Sequence, residues 1–447
     1  MLGTAIQMGQ LAVAAFVIAA LAVELARRPM VIVYVLLAVH AWELLASVPS
    51  VRIAGVGVGP ADVVNFIAFC AALIRVRRGP NIWQWALLGA IVLVLVGALR
   101  GYLLLGDAAL LGFRAELYFL VPALFVTTLA PRHVEAVVTA IIRFGVFMAV
   151  VAIARWLLIA MGAQLESVPT EGGFVVNRVI NAGATLGVAF AGVALVTRLL
   201  ERRGPFRVPT ITRYLAVALL AVVLFAQHRS VWVATIIMMA LAFVRLRRRW
   251  MLKMAALVVC AVGVIAIEVA GLGDAGAAAE SLTYAATSAH TWDWRVARWE
   301  AVWATHAARG WEAIVFGSGY GYGWVTGVVG EWEVSPHNGF LQIAVRIGLL
   351  GALFVFATYA SALLRLLSRP SVTAPILWLF IAGTLVYFVP YSGRPLAGVV
   401  LGAAVLVTML DVSPRKASSE SGATGMRREL VVNTQRSIQH SVANDTR

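Results

Sequence analysis

A histidine and an asparagine stand side by side where a polar stretch of the sequence runs into an apolar one. His337 and Asn338 follow Ser335-Pro336 and precede Gly339-Phe340-Leu341. Neutral imidazole is the side chain that most often accepts a proton near pH 7. A helix N-terminus would keep it neutral, whereas a nearby anionic substrate would favour imidazolium. His337 is therefore a candidate general base, and the alternative is a histidine that only caps the helix.

Two arginines are candidate functional residues. Arg229 follows Gln227-His228 between two short apolar runs, and Arg295 precedes Trp299 by four positions. An arginine at membrane depth is costly and by default marks a functional site. The residues spaced three, four and four apart, as on one face of a helix, are Trp292, Arg295, Trp299 and Trp303. The alternatives are a tight turn with a snorkelling Arg229 and a helix lying on the membrane surface.

A glycine-rich string between these motifs alternates glycine with aromatic residues from Gly317 to Trp324. Such a loop can approach a ligand closely, and its rings offer stacking faces. It lacks the Lys-Ser/Thr ending of a phosphate-binding loop. A flexible turn explains the same pattern.

Composition places these residues in a membrane protein. Of the 447 residues 61% are hydrophobic and 13% are charged, and the mean hydropathy is +0.89. Apolar runs of about 20 residues recur, each long enough to cross a bilayer as a helix. The net charge of +15 sits in short basic clusters between these runs, which is typical of cytoplasmic loops and argues against nucleic-acid binding. Cys70 and Cys260 both lie in apolar runs and support neither a disulfide nor a metal site.

The apolar runs predict an all-α integral membrane protein with about 12 to 13 transmembrane helices. The predicted spans are 5–25, 30–47, 61–76, 82–105, 115–130, 134–162, 182–200, 212–227, 231–245, 252–270, 338–363, 374–389 and 395–410. The first span reads as a transmembrane helix rather than a cleavable signal peptide. We expect a membrane domain over residues 1–410 and a disordered cytoplasmic tail over 411–447.

One long loop, residues 271–337, is predicted to be extracytoplasmic. Two spans bound this loop, and each has a basic cluster at its end away from the loop. These clusters, Arg245 to Lys253 and Arg365 with Arg369, are expected in the cytoplasm, which places the loop outside. A connection of this length is rare unless it is functional. The side of the N-terminus depends on whether every span crosses the membrane and stays open.

Taken in order, these motifs resemble those of the O-antigen ligase and polymerase family of bacterial membrane enzymes. The resemblance rests on Arg229, on Arg295 with Trp299, on the Gly317 to Gly323 turn, and on His337-Asn338 followed by Leu341 and Gly348-Leu349-Leu350-Gly351. His228 departs from the small polar residue common before the first arginine. Asn177-Arg178 is similar to an arginine patch of the family but lacks its proline.

The resemblance implies a metal-independent glycosyltransferase of GT-C-like architecture, without a cofactor, in the bacterial inner membrane with its site facing the periplasm. The donor would be a glycan on a polyprenyl diphosphate, and the acceptor a hydroxyl of lipid A-core or of another glycan. His337 would be the catalytic base, and Arg229 and Arg295 would bind the diphosphate. Further candidates for substrate binding are Arg178, Asn338, Tyr320, Tyr322 and Trp324.

Other functions remain open at this point. A ligase and a polymerase share the donor chemistry and differ in the acceptor, which the motifs do not specify. A transporter of lipid or polysaccharide could have the same number of helices, although transporters tend to show internal repeats, and none is apparent here. A receptor that binds glycan without chemistry is the third alternative.

Overall fold

The computed structural model describes the helical framework and part of the connecting segments. The described residues are 23–25, 27–45, 50–53, 56–76, 80–106, 109–161, 168–169, 175–176, 179–200, 210–246, 290–322, 324–325, 331–332, 336–369, 371 and 373–409. Arg178, the predicted span 252–270, most of the span 5–25 and the tail 411–447 lie outside them. Contacts divide the chain into a unit of residues 1–407 and a second unit of residues 408–447.

Helices make up most of the described chain. They are α1 (Pro29–Leu45), α2 (Pro60–Val76), α3 (Ile82–Leu105), α4 (Ala109–Gly112), α5 (Arg114–Thr127), α6 (Val134–Ala160), α7 (Ala182–Leu200), α8 (Thr210–Phe225), α9 (Arg229–Leu246), α10 (His290–Ala307), α11 (Trp311–Phe316), α12 (Gly339–Leu367), α13 (Thr373–Phe388) and α14 (Pro395–Met409). A short 3-10 turn, Pro131–His133, precedes α6.

In the part of the chain that the structure describes, three short antiparallel hairpins connect some of these helices. Their strands are β1 (Val51–Ile53) with β2 (Val56–Val58), β3 (Val168–Pro169) with β4 (Val175–Val176), and β5 (Trp324–Val325) with β6 (Glu331–Trp332). Each strand has two or three residues, so the hairpins are connections rather than a sheet layer.

Among the described residues, four helices are long and apolar enough to cross a bilayer: Ile82–Leu105, Pro131–Ala160, Ala182–Leu200 and Gly339–Leu367. Shorter apolar helices are Pro29–Leu45, Thr210–Phe225, Thr373–Phe388 and Pro395–Met409. The protein is an all-α membrane protein, as its composition predicts. Because two predicted spans lie largely outside the described residues, the total of 12 to 13 stays a prediction.

Helix α7 is the most enclosed of the four long helices, because 89% of its apolar segment is buried inside the protein. It packs between α6 and α8. Gly145 of α6 comes so close to α7 that a Cβ there would lie 2.2 Å from the backbone oxygen of Gly187. In lipid, where helices gain little from hiding apolar surface from one another, small residues allow this close packing. Helix α7 is therefore the packing centre of the described framework.

Helix α12 has a kink that sets the direction of its first two turns. Gly348 interrupts the helix with φ 71° and ψ 177°. A Cβ at Gly348 would lie 2.1 Å from the backbone oxygen of Val315, and one at Gly317 would lie 2.1 Å from that of Arg346. The kink thus lets α11 and the following turn press directly against the α12 backbone, and it fixes the end of α12 that follows His337.

Candidate active site

Arg229 is the first residue of α9. The sequence predicts it instead in the turn between two helices. The preceding turn is tightly held: Gln227 has φ 58°, and the buried His228 places Nε2 2.8 Å from the backbone oxygen of Ile180. Trp232 donates its indole N–H to the backbone oxygen of Val223 at 2.9 Å, which joins α9 to α8. Arg229 therefore lies at a helix N-terminus, where the helix dipole favours a bound anion.

Arg295 comes from a different part of the chain and lines the same cavity as Arg229. It lies on α10, the helix predicted from the spacing of tryptophans around it. The cavity has a volume of about 410 Å³ and opens to the surface. Its lining residues are His228, Arg229, Ser230, Val233, Trp292, Arg295, Val386, Val389, Pro390 and Tyr391. The structure thus brings together the two arginines for which the family resemblance implies diphosphate binding.

An aromatic ring rather than a carboxylate accompanies the Arg295 guanidinium. Its Cζ lies 5.7 Å from the centroid of the Tyr391 ring. Its Nε is buried and has no hydrogen-bond partner among the described residues, and no ion pair within that part of the chain includes Arg295. A guanidinium held in this way keeps donors available for an incoming anion.

His337 adopts a left-handed backbone conformation, with φ 49°, directly before α12. Asn338 is the N-cap of this helix, and its side chain accepts from the backbone N–H of Leu341 at 3.0 Å. The cap is therefore Asn338, and the imidazole of His337, which is exposed, is not needed for it. Gln227 and His337 are the two non-glycine residues with positive φ in the described part of the chain, and strained positions of this kind cluster at functional sites.

The surroundings of His337 favour the neutral imidazole. Partial desolvation, followed by the positive charges of Arg298, Arg295 and Arg394, lowers the pKa of His337 below its ordinary value of 6.5. His337 does not line the cavity itself. Its link to the cavity is electrostatic, through Arg295, and a neutral imidazole at pH 7 can accept a proton there.

The glycine-rich turn is largely a packing element. Tyr320 is 0% exposed, and its ring lies 3.4 Å from where a Cβ of Gly97 on α3 would be. Arg346 of α12 stacks on the same ring at 5.4 Å and donates to the backbone oxygen of Gly319 at 2.9 Å. Because the Tyr320 side chain is enclosed between α3 and α12, the expected contact with a sugar is not available from it in this structure.

The other two aromatics of the turn have different positions. The guanidinium of Arg309 lies 4.6 Å from the centroid of the Tyr322 ring, which is partly exposed. Trp324 is in strand β5, opposite Trp332 of β6. The Tyr322 ring does not line the cavity between Arg229 and Arg295.

A buried histidine fixes the turn to α10. His306 is 0% exposed, and its Nδ1 lies 2.6 Å from the hydroxyl oxygen of Ser318. Burial, then the charges of Arg309 and Arg346, lowers the pKa of His306 to about 4, so that it is neutral at pH 7. With both partners enclosed, this pair positions the turn.

Sequence reasoning missed three residues of the site: Arg298, Tyr391 and Arg394. Arg394 stands between two short apolar runs, as Arg229 does, and the same criterion could have found it. Arg298 lies one turn after Arg295 on α10, where its guanidinium stacks on Trp294 at 5.0 Å. Nothing in the sequence around Tyr391 indicates that it meets Arg295.

Comparison with known protein families bears on this arrangement. Residues 214–356, which contain Arg229, Arg295 and His337, match the family model described as O-antigen ligase. Over this segment the chain is similar to the O-antigen ligase family. A search of curated proteins found no match. The similarity to this family suggests a glycosyltransferase-type enzyme in a multi-pass membrane protein, with glycan and lipid-linked substrates.

Proposed function

We propose that the protein transfers a glycan from a polyprenyl diphosphate carrier to an acceptor hydroxyl. The observation that supports this best is the shared cavity of about 410 Å³, which Arg229 and Arg295 line from separate helices. Two guanidinium groups at one cavity suit a diphosphate, because each can form a bidentate contact with phosphate oxygens.

The proposed reaction needs one base and a stabilised leaving group. The acceptor hydroxyl gives its proton to the imidazole of His337, and its oxygen forms a bond to the anomeric carbon of the donor. The bond between that carbon and the diphosphate oxygen breaks, and the lipid diphosphate leaves with the electron pair. Arg229 and Arg295 hold the negative charge that develops on it. The products are the extended acceptor, the lipid diphosphate and one proton.

The remaining walls of the cavity suit an amphiphilic donor. Val233, Val386, Val389 and Pro390 are apolar. They come from α9, from the last turn of α13 and from the turn that follows α13. A lipid tail can stay in the bilayer on this side while sugars stay in water. The proposed location is the inner membrane with the site facing the periplasm, which follows the distribution of basic clusters.

The proposed acceptor is lipid A-core, which makes the enzyme an O-antigen ligase. A polymerase that extends a carrier-linked glycan is the alternative, because the donor chemistry is identical. Glycan analysis of a deletion strain distinguishes them. Polymer that remains on the carrier lipid and is lost from the surface supports the ligase, whereas single repeats alone support the polymerase.

The decisive experiment is transfer in vitro by purified protein from a diphosphate-linked glycan donor. We expect Arg229→Lys and Arg295→Lys each to lose roughly 100-fold in rate, because lysine cannot offer two parallel donors. Arg143→Lys is the matched control, since Arg143 lines a separate groove between α1 and α6. Full activity of both site variants would contradict the diphosphate role. Movement of carrier-linked glycan across vesicles without any transfer would favour a transporter.

Metal independence is part of the proposal, because two arginines can supply the charge that a divalent ion would otherwise provide. Wild-type transfer should therefore continue in EDTA at an unchanged rate. Loss of activity in EDTA, restored by a divalent ion, would contradict this part while leaving the role of the arginines open to the lysine variants.

A further inference from the structure

The turn between α13 and α14, residues 389–394, forms one wall of the cavity. Val389, Pro390 and Tyr391 line it together with Arg229 and Arg295. This turn lies outside the segment 214–356 that carries the family match. The cavity is therefore completed by residues that neither the motifs nor the family match include.

Tyr391 is held firmly on its side of the cavity. Its ring stacks on that of Tyr387, with centroids 4.8 Å apart and planes 23° from parallel. Tyr387 is 2% exposed and lies in α13, so the stack is anchored in the helix framework. The guanidinium Cζ of Arg295 lies 5.7 Å from the centroid of the Tyr391 ring. The Tyr391 ring thus connects the flexible side chain of Arg295 to the rigid helix α13.

The backbone of the same residue touches the helix that follows His337. A Cβ on Gly339, the first residue of α12, would lie 2.9 Å from the backbone oxygen of Tyr391. Only a glycine lets the turn approach the start of α12 this closely. Tyr391 therefore contacts Arg295 of α10 through its ring. Through its backbone it contacts the start of α12, which follows His337.

We propose that Tyr391 is a positioning residue that holds the Arg295 guanidinium at the cavity through the face of its ring. A ring face attracts a guanidinium electrostatically without accepting its in-plane N–H donors. A carboxylate in this position would engage those donors and neutralise the charge. The inference rests on the proposed function, in which Arg295 binds the donor diphosphate.

The first test is a double-mutant cycle in the transfer assay. Tyr391→Leu should raise KM for the donor roughly 3- to 30-fold, the range expected from a cation–π contact, while Tyr391→Phe stays within about twofold of wild type. Combined with Arg295→Gln, Tyr391→Leu should add little further loss, because it acts through Arg295. Full additivity of the two losses would overturn the inference. Tyr214→Leu, an exposed tyrosine on α8, is the control.

The second test reports the position of Arg295 whatever the protein transfers. The same variants are treated with phenylglyoxal, and modification of Arg295 is followed by peptide mass spectrometry. Tyr391→Leu should label Arg295 several-fold faster than wild type, and Tyr391→Phe should label it at the wild-type rate. An unchanged labelling rate in Tyr391→Leu would overturn the inference. Faster labelling in a protein with no transfer activity would uphold the positioning role and count against the proposed function alone.

Discussion

Trp299 donates its indole N–H to the backbone oxygen of Pro336 at 2.8 Å. This bond ties α10, which carries Arg295 one turn earlier, to the residue directly before His337. The motif of Arg295 and Trp299 is therefore in contact with the motif of His337 and Asn338. Through its hydrogen bond, Trp299 positions the second motif.

Trp299→Phe should lower transfer while the protein still folds. The ring is kept and the hydrogen bond is lost, and a small displacement of His337 relative to the donor can reduce the rate by 10- to roughly 100-fold. Trp311→Phe is the matched control, because Trp311 is 67% exposed on α11. Rates are compared for protein of equal monodispersity on size-exclusion chromatography. Equal activity of the two variants would show that the bond does not position the site.

His337→Ala should mainly lower the transfer rate, whereas Asn338→Ala should mainly lower the stability of the fold. Removing a general base costs roughly 10²- to 10⁴-fold in rate and should leave the melting temperature unchanged. Removing the N-cap Asn338 costs about 0.5–2 kcal/mol of stability and should have a smaller effect on rate. Transfer rate and thermal unfolding are measured for both variants. Activity of His337→Ala within a few-fold of wild type would exclude it as the base, and Glu331 and Glu333 would be tested next.

The acid limb of the pH profile should depend on Arg298. Transfer needs neutral His337, so kcat/KM falls as pH drops through the pKa of His337. Because desolvation and three arginines lower this pKa, activity should persist below pH 6.5. Arg298→Gln removes one positive charge, raises the pKa and should move the acid limb to higher pH. Arg309→Gln, whose charge acts on His306 instead, should not move it. A shift to lower pH in Arg298→Gln would contradict the assignment.

Gly348→Ala should be far more damaging than Gly106→Ala. Both residues have positive φ, 71° and 69°, and both substitutions add backbone strain of about 1 kcal/mol. A Cβ at Gly106 meets nothing within 4 Å, whereas one at Gly348 would lie 2.1 Å from the backbone oxygen of Val315. Folded yield and melting temperature in detergent measure the difference. Similar losses for the two variants would mean that α11 can move away from the kink.

The predicted orientation can be tested by labelling. In a variant that lacks Cys70 and Cys260, Gly330→Cys should react with a membrane-impermeant thiol reagent in cells with a permeabilised outer membrane. The loop 271–337 is expected outside, because basic clusters lie on the other side of both bounding spans. A cysteine placed at Ser418, in the tail, is the control and should label only after the inner membrane is lysed. Labelling of position 330 only after lysis would reverse the orientation.

Helix positions were the most predictable part of the fold. The predicted spans 82–105 and 182–200 coincide with helices Ile82–Leu105 and Ala182–Leu200. Long apolar runs in lipid have to be helical, so hydropathy alone sets their bounds. The kink at Gly348 was not predicted, because apolar periodicity carries no information about a single positive φ.

The site was predictable only in its motif residues. Arg229 is singled out by its charge between two apolar runs and Arg295 by its spacing from Trp299, and the structure brings them to one cavity. The alternation of glycine and aromatics did not show that the Tyr320 ring is enclosed, since it does not indicate which way a ring turns. Tyr391 and Arg394 follow the histidine motif by more than one full helix, and only tertiary packing brings them near it.

The close packing of Tyr320 against α3 limits how segments of this protein can be exchanged with those of its homologues. A Cβ at Gly101 on α3 would lie 2.1 Å from the backbone oxygen of Tyr320, so the glycine-rich turn fits only a helix with small residues there. Residues 214–356 consequently do not form a cassette that can be transplanted between homologues. A chimera has to exchange α3 and the 389–394 turn together with that segment, because the borrowed segment would otherwise clash with the helix and the turn of its host.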